Sequence, residues 1–116
     1  MADAPKSGEA QFLLGRLLLR KNDFAGAAKA LKAATTQAPG IAEAHAYLGT
    51  ALQYTGQTSE AVVAYKQAVE RAPQNTMYRA TYGLLLGLDS QFEQGAAELQ
   101  KVIASPGYKD TAGYTN

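Results

Sequence analysis

The side chains best suited to chemistry are few in this chain, and they are scattered. His45 is the only histidine among the 116 residues, and there is no cysteine. A single imidazole cannot form a metal cluster or a nucleophile–base pair by itself, and without thiols there is no thiolate nucleophile and no disulfide. We therefore interpret His45 as a residue that packs between helices, and we predict neither a metal nor another cofactor.

The acidic side chains do not form a catalytic pair either. They occupy scattered surface positions of predicted helices: Glu43, Glu60, Glu70, Glu93 and Glu98. Acid–base catalysis needs two such groups held together in an apolar setting, and a phosphate site needs a glycine-rich loop between a strand and a helix. The sequence shows neither pattern, so we do not expect an enzyme.

Arg16 and Arg20 could bind a ligand without catalysing a reaction. They stand four residues apart and would share one face of a helix. Guanidinium groups placed in this way can hold a carboxylate through paired hydrogen bonds. The alternative is an ordinary solvated pair of charges, and the sequence leaves both interpretations open.

The elements that position these residues follow from an internal repeat. Gly15, Gly49 and Gly83 stand 34 residues apart. Around each glycine the same types recur: a large apolar residue before it, leucine three residues after it, and a small residue twelve after it, namely Ala27, Ala61 and Gly95. Small residues at these positions allow two helices to approach closely. Pro39 and Pro73 follow at the ends of two units, and Ser90 with Glu93 has the spacing of a capping box, which predicts a helix start.

This pattern resembles the tetratricopeptide repeat, a helix–turn–helix unit of about this length. The resemblance covers nearly the whole chain. It implies an all-α, right-handed superhelical solenoid of three units at residues 8–41, 42–75 and 76–109, between a disordered lead-in at 1–7 and a tail or further helix at 110–116. The chain departs from the family where a tryptophan is usual, since Gln11, His45 and Arg79 stand there, and Gly95 replaces a packing alanine.

In such a solenoid the first helix of every unit lines the concave wall, so the groove residues follow from their register. The predicted groove comprises Phe12, Arg16, Leu19 and Arg20 of the first unit, Tyr47, Thr50, Gln53 and Tyr54 of the second, and Met77, Thr81, Leu84 and Leu88 of the third. These side chains suit an extended or helical peptide with apolar anchors and one acid. We therefore predict a non-enzymatic scaffold for a protein or peptide ligand. The alternative is that some of these residues merely pack on flanking segments.

Charge and hydropathy exclude two other classes of partner. The net charge is only +1, although residues 8–41 carry five basic and two acidic side chains. A general nucleic-acid binder would be far more basic, and no apolar run approaches a membrane span. We expect a soluble protein without nucleic-acid binding or direct membrane insertion, and the sequence leaves open whether it works in the cytoplasm or the periplasm.

Two narrower resemblances concern parts of the array. Some tetratricopeptide co-chaperones hold the terminal acid of heat-shock chaperones with lysine, arginine and asparagine side chains. The corresponding positions hold only one basic residue, Arg16, so that clamp is absent; they are Phe12, Arg16, Tyr47, Met77 and Thr81.

The segment from Asn75 to Asn116 also resembles bacterial type IV pilus pilotin lipoproteins, which help secretin subunits to assemble, although their lipid-bearing cysteine is missing. That resemblance implies a further helix near Asp110 and a chain that is a fragment.

The competing prediction for the whole chain is self-association. The last predicted helix carries Leu99, Val102 and Ile103, with only residues 110–116 to cover them. The ends of a repeat array need a capping element, and uncovered apolar surface tends to be filled by a partner. We therefore expect copies of the chain to pair end to end there, or to dock a neighbour's tail there, with Tyr108 and Tyr114 as contacts.

Overall fold

Six helices follow one another in the computed structural model, which describes residues 7–105. They are α1 (Ser7–Arg20), α2 (Phe24–Gln37), α3 (Ala42–Tyr54), α4 (Thr58–Arg71), α5 (Thr76–Leu88) and α6 (Phe92–Ile103). No strand occurs in this part of the chain. The predicted all-α solenoid of helix pairs is confirmed. The expected contacts Tyr108 and Tyr114 and the pilotin-like tail lie outside the described residues.

The helices pack in the order of the chain. Within the units α1 contacts α2, α3 contacts α4 and α5 contacts α6, while α2 with α3 and α4 with α5 join neighbouring units. The molecule is therefore elongated, with extents of 54 × 29 × 24 Å. One apolar cluster runs from α1 to α5 and includes Leu31, Leu52, Tyr65, Leu85 and Leu86.

Small residues set the distance between paired helices. A Cβ atom at Gly49 would lie 2.4 Å from the Tyr65 ring, so any larger residue would push α3 away from α4. In the third unit a Cβ at Gly95 would lie 2.6 Å from the carbonyl oxygen of Gly83. Here two backbones meet, which explains why glycine replaces the alanine usual at this register.

The turn inside each unit has the same backbone geometry. Asn22, Gly56 and Ser90 have φ angles of 67°, 83° and 66°. Asp23 follows the first of these turns and caps α2, because its carboxylate accepts a hydrogen bond of 2.9 Å from the backbone N–H of Gly26. The capping box predicted at Ser90 is wrong. The residue that caps α6 is Gln91, and its side chain makes no capping hydrogen bond.

Candidate peptide-binding groove

A cluster of two rings and one guanidinium group joins the first two units. The rings of Phe12 on α1 and Tyr47 on α3 stack with centroids 6.0 Å apart and planes 25° from parallel. The central carbon of the Arg16 guanidinium lies 5.6 Å from the Phe12 centroid and 6.0 Å from the Tyr47 centroid. Cations at such distances are attracted to the ring faces. The structure thus brings together two predicted groove residues of the first unit, Phe12 and Arg16, and one of the second unit, Tyr47.

Among residues 7–105, no acidic side chain forms an ion pair with Arg16 of this cluster or with Arg20. The ion pairs among residues 7–105 are Lys32 with Glu60, Arg79 with Glu98, and Lys101 with Glu98. Arg16 and Arg20 are exposed and take part in none of these pairs. Each can therefore offer its N–H groups to a carboxylate from outside.

A surface cavity of about 540 Å³ opens beside the cluster. It is lined by Leu19, Asn22, Phe24, Tyr47, Thr50 and Tyr54. The rings of Phe24 and Tyr54 stack with centroids 4.5 Å apart and planes 18° from parallel, which fixes one wall. Four of the lining residues are predicted groove residues. Sequence reasoning missed Asn22 and Phe24 because it considered only the first helix of each unit, whereas these two stand at the turn and the start of α2. In the sequence, the aromatic residue directly after the capping Asp23 could have indicated this wall of the cavity.

Two of the predicted groove residues have structural roles as well. Phe12 is only 9% exposed and belongs to the core, so it forms a floor beneath Arg16 and offers little surface of its own. The Thr50 hydroxyl donates to the Ala46 carbonyl oxygen at 3.2 Å and lies 2.8 Å from the Tyr65 hydroxyl, which must then be the donor to Thr50. Burial raises the pKa of Tyr65, which keeps this donor protonated. Thr50 therefore ties α3 to α4 while it also lines the cavity.

The third unit contributes an exposed apolar face to the predicted groove. Met77, Leu84 and Leu88 on α5 are 73%, 60% and 66% exposed. Their spacing, together with that of the partly buried Thr81, places them along one side of the helix. Gln53 on α3 is exposed as well. Apolar side chains aligned in this way form a surface that a partner could bury.

His45 has the packing role predicted for it. It is 7% exposed, and its Nε2 donates a hydrogen bond of 2.9 Å to the carbonyl oxygen of Pro39. Burial lowers the pKa of His45, the hydrogen bond to Pro39 opposes this, and the nearby charge of Arg71 lowers the pKa further. The lowered pKa favours the neutral imidazole.

Arg79 occupies the same register in the third unit. Its Nη1 lies 2.7 Å from Oε1 of Glu98, and the two side chains are only 19% and 17% exposed. Glu98 was predicted to be one of the solvated surface acids, and that prediction is wrong because α5 and α6 enclose the pair.

Across residues 7–105 no three potential metal ligands come together. None of the six helices is long and apolar enough to cross a membrane.

Several solved structures have this fold. MamA from Desulfovibrio magneticus RS-1, residues 41 to the end, is 25% identical with a TM-score of 0.77, and the match covers 85% of this chain and 56% of that one. The TPR2B domain of yeast Sti1 in complex with pHsp70 is 19% identical with a TM-score of 0.78, covering 93% and 89%. The CopN–Scc3 complex gives 16% identity and a TM-score of 0.81, covering 95% and 67%. The chain spans 61% of a further MamA structure, less than two thirds of its length.

The family comparison agrees with these folds. No curated protein matches the sequence, and the pilotin resemblance receives no support from the solved structures. A family model described as the tetratricopeptide repeat matches residues 18–85, which is more than half of the chain. This chain belongs to the tetratricopeptide repeat family.

Proposed function

We propose that this protein is a non-enzymatic scaffold that binds a peptide or helix of a partner protein in the groove along α1, α3 and α5. The observation that carries the proposal is the Arg16 guanidinium held over the rings of Phe12 and Tyr47, beside an aromatic cavity. A general role in protein interaction is supported by the similar folds found in the Sti1–pHsp70 and CopN–Scc3 complexes.

The cluster suits a ligand that carries an acid next to an apolar side chain. The ring faces attract the Arg16 guanidinium group, and its N–H groups make no ion pair among residues 7–105, so they can bond a carboxylate. The adjoining cavity between Tyr47 and Tyr54 would take the apolar side chain, because aromatic walls offer a large contact area at little cost in conformational entropy. The exposed face of α5 would extend the contact along the ligand.

A panning experiment with a phage-displayed library of random peptides tests this proposal. We expect the full chain to enrich peptides that combine an aromatic or aliphatic residue with Asp, Glu or a free carboxyl terminus. Titration calorimetry on one enriched peptide then compares the wild type with single variants. Tyr54→Ala should weaken binding about five- to thirtyfold, as expected for the loss of an anchor worth roughly 1–2 kcal/mol.

Two further variants separate the contribution of charge. Arg16→Gln should abolish most of the salt dependence of binding, because exposed charge interactions are screened by salt. Lys29→Ala is the matched control, since Lys29 is an exposed basic residue of the same unit that does not line the cavity. Enriched peptides that bind Tyr54→Ala and Arg16→Gln as tightly as the wild type would refute the groove proposal.

The second candidate function is a self-associating assembly module. It is favoured by the exposure of large apolar side chains at the last helix, where Phe92 is 69% and Ile103 is 59% exposed. The narrower proposal of a pilotin-like fragment has no structural observation in its favour.

A further inference from the structure

The first helix carries an apolar face whose counterparts inside the array are covered. Leu14 and Leu17 on α1 are 44% and 62% exposed, and Ala10 beside them is exposed too. The residues at the same register of the second unit are Ala44, Leu48 and Ala51, which are 0%, 7% and 0% exposed. In the second unit this face packs against α2 of the preceding unit. The first unit thus has the surface for a preceding unit without having one among residues 7–105.

The last helix has the reciprocal surface. Phe92, Ala96 and Ile103 on α6 are exposed and Leu99 is partly buried. Their counterparts on α4 are Thr58, Val62, Tyr65 and Val69, of which the last three are each 7% exposed because α5 adjoins α4. The predicted patch needs one correction. Val102 is itself only 7% exposed and is not part of this surface, while Phe92 extends it.

Contacts at the internal junctions define which residues meet between consecutive units. At the first junction Phe24 stacks on Tyr54. At the second junction the Ser59 hydroxyl donates to the Asp89 carboxylate at 2.9 Å, and the ring of Tyr65 meets that of Tyr78 edge to face at 6.4 Å. Each contact joins fixed positions of two units, so each can be carried to any junction that has the same geometry.

We propose that a second copy of this chain stacks its α1 face on the α6 face and so continues the solenoid head to tail. Carrying the three contacts into that junction pairs Phe92 with Arg20, Glu93 with Lys21, and Leu99 with Ala10 of the second copy. The first pair is an aromatic ring with a guanidinium group, the second is an ion pair and the third is apolar. None of the three combinations is repulsive.

These pairings identify a second copy, rather than an unspecified apolar partner, as the occupant. Arg20 and Lys21 stand at the end of the α1 face, and Phe92 and Glu93 stand at the start of the α6 face. The two pairs therefore meet in the same order along the junction. The contact joins two different surfaces, so it does not close on itself and should produce open chains of copies. The concave walls of successive copies would then form one longer groove. This inference deepens the second candidate function and does not depend on peptide binding.

Analytical ultracentrifugation with one variant blocked at each end tests the proposal. The wild type should increase in mass with concentration, beyond a dimer. Leu17→Glu and Ile103→Glu should each be monomeric alone, yet an equal mixture should form dimers. The reason is that the first variant keeps its α6 face and the second keeps its α1 face. Val63→Glu is the control, because Val63 on α4 is 59% exposed, belongs to neither end face and should leave association unchanged.

A charge exchange provides an independent check that leaves the apolar faces intact. Lys21→Glu and Glu93→Lys should each weaken association about 1.4- to fivefold, as expected for an exposed ion pair worth roughly 0.2–1 kcal/mol, and the double variant should restore it. A wild type that stays monomeric at every concentration would overturn the proposal. So would a mixture of the two blocked variants that stays monomeric, or an Ile103→Glu variant that still forms dimers by itself. Retained peptide binding in any of these three cases would leave the groove proposal standing.

Discussion

At the scale of single residues, burial decides what an ionisable side chain can do. His45 is a possible base or metal ligand by its chemistry, but it lies between helices with Nε2 bonded to the Pro39 carbonyl oxygen. Burial lowers its pKa below the ordinary value of 6.5, so the folded chain resists the proton that the unfolded chain accepts. Stability is therefore complete above the unfolded pKa and is lost as the pH falls through the folded pKa.

We expect the melting temperature of the wild type to fall between about pH 7.5 and pH 5 by more than that of His45→Gln. Glutamine can donate an N–H to the same carbonyl oxygen but does not titrate in this range. Thermal melts followed by circular dichroism at a series of pH values measure the difference. Identical pH profiles for the two proteins would show that His45 does not sense protonation.

The sequence could predict a groove residue only where the position of that residue in the repeat determines which wall it lines. Arg16 and Tyr47 were assigned to one wall by their places in the repeat, and the structure brings them together over Phe12. Phe24 was not predicted, because its ring reaches Tyr54 from the second helix of a different unit. Such a contact depends on the separation of two helices, which the periodicity of one sequence does not reveal.

At the scale of elements, the repeat predicted the helix pairs because each pair packs closely at a glycine of fixed place, namely Gly15, Gly49 and Gly83. The helix starts were less predictable. Ser90 and Glu93 have the spacing of a capping box, yet Ser90 lies in the left-handed turn before α6 with a φ of 66°. Equivalent turn positions hold Asn22 and Gly56, which tolerate that conformation well. Capping spacing and turn geometry compete at this position, and the turn prevails.

We therefore expect Ser90→Gly to stabilise the protein. Left-handed backbone costs a non-glycine residue roughly 1–2 kcal/mol, and glycine removes this cost. Glycine also loses more backbone entropy on folding, which offsets about 0.5–1 kcal/mol of the stabilisation. The melting temperature should rise by about 2–5 °C. Gly56→Ser is the matched control and should lower it. A Ser90→Gly variant that melts below the wild type would contradict this account of the turn.

At the scale of the whole molecule, each unit packs mainly against the unit next to it in the chain. The second unit contacts both others, through α2 with α3 and through α4 with α5. The sequence predicted this order of units. It did not reveal the exposed leucines of α1, because Leu14 and Leu48 look equivalent in the repeat and differ only in whether a preceding helix covers them. Exposure at the ends is a property of the array and not of its repeat.

The same packing disturbance should have different effects in an end unit and in the central unit. A Cβ at Gly15 would lie 2.4 Å from Leu31, and one at Gly49 would lie equally close to Tyr65, at 2.4 Å. Leucine at either position should cost a similar roughly 1–3 kcal/mol of local packing. In an array stabilised by nearest-neighbour contacts, however, loosening the centre also removes support from both ends.

Native-state hydrogen exchange followed by mass spectrometry distinguishes these outcomes, because it reports local opening along the chain. Gly15→Leu should speed exchange mainly in α1 and α2, with α5 and α6 close to the wild type. Gly49→Leu should speed exchange in all six helices. If the two variants give the same pattern, the molecule unfolds as one cooperative unit and its stability is not the sum of neighbouring contacts. If Gly49→Leu instead affects only α3 and α4, the junctions between units contribute little to the stability of either end.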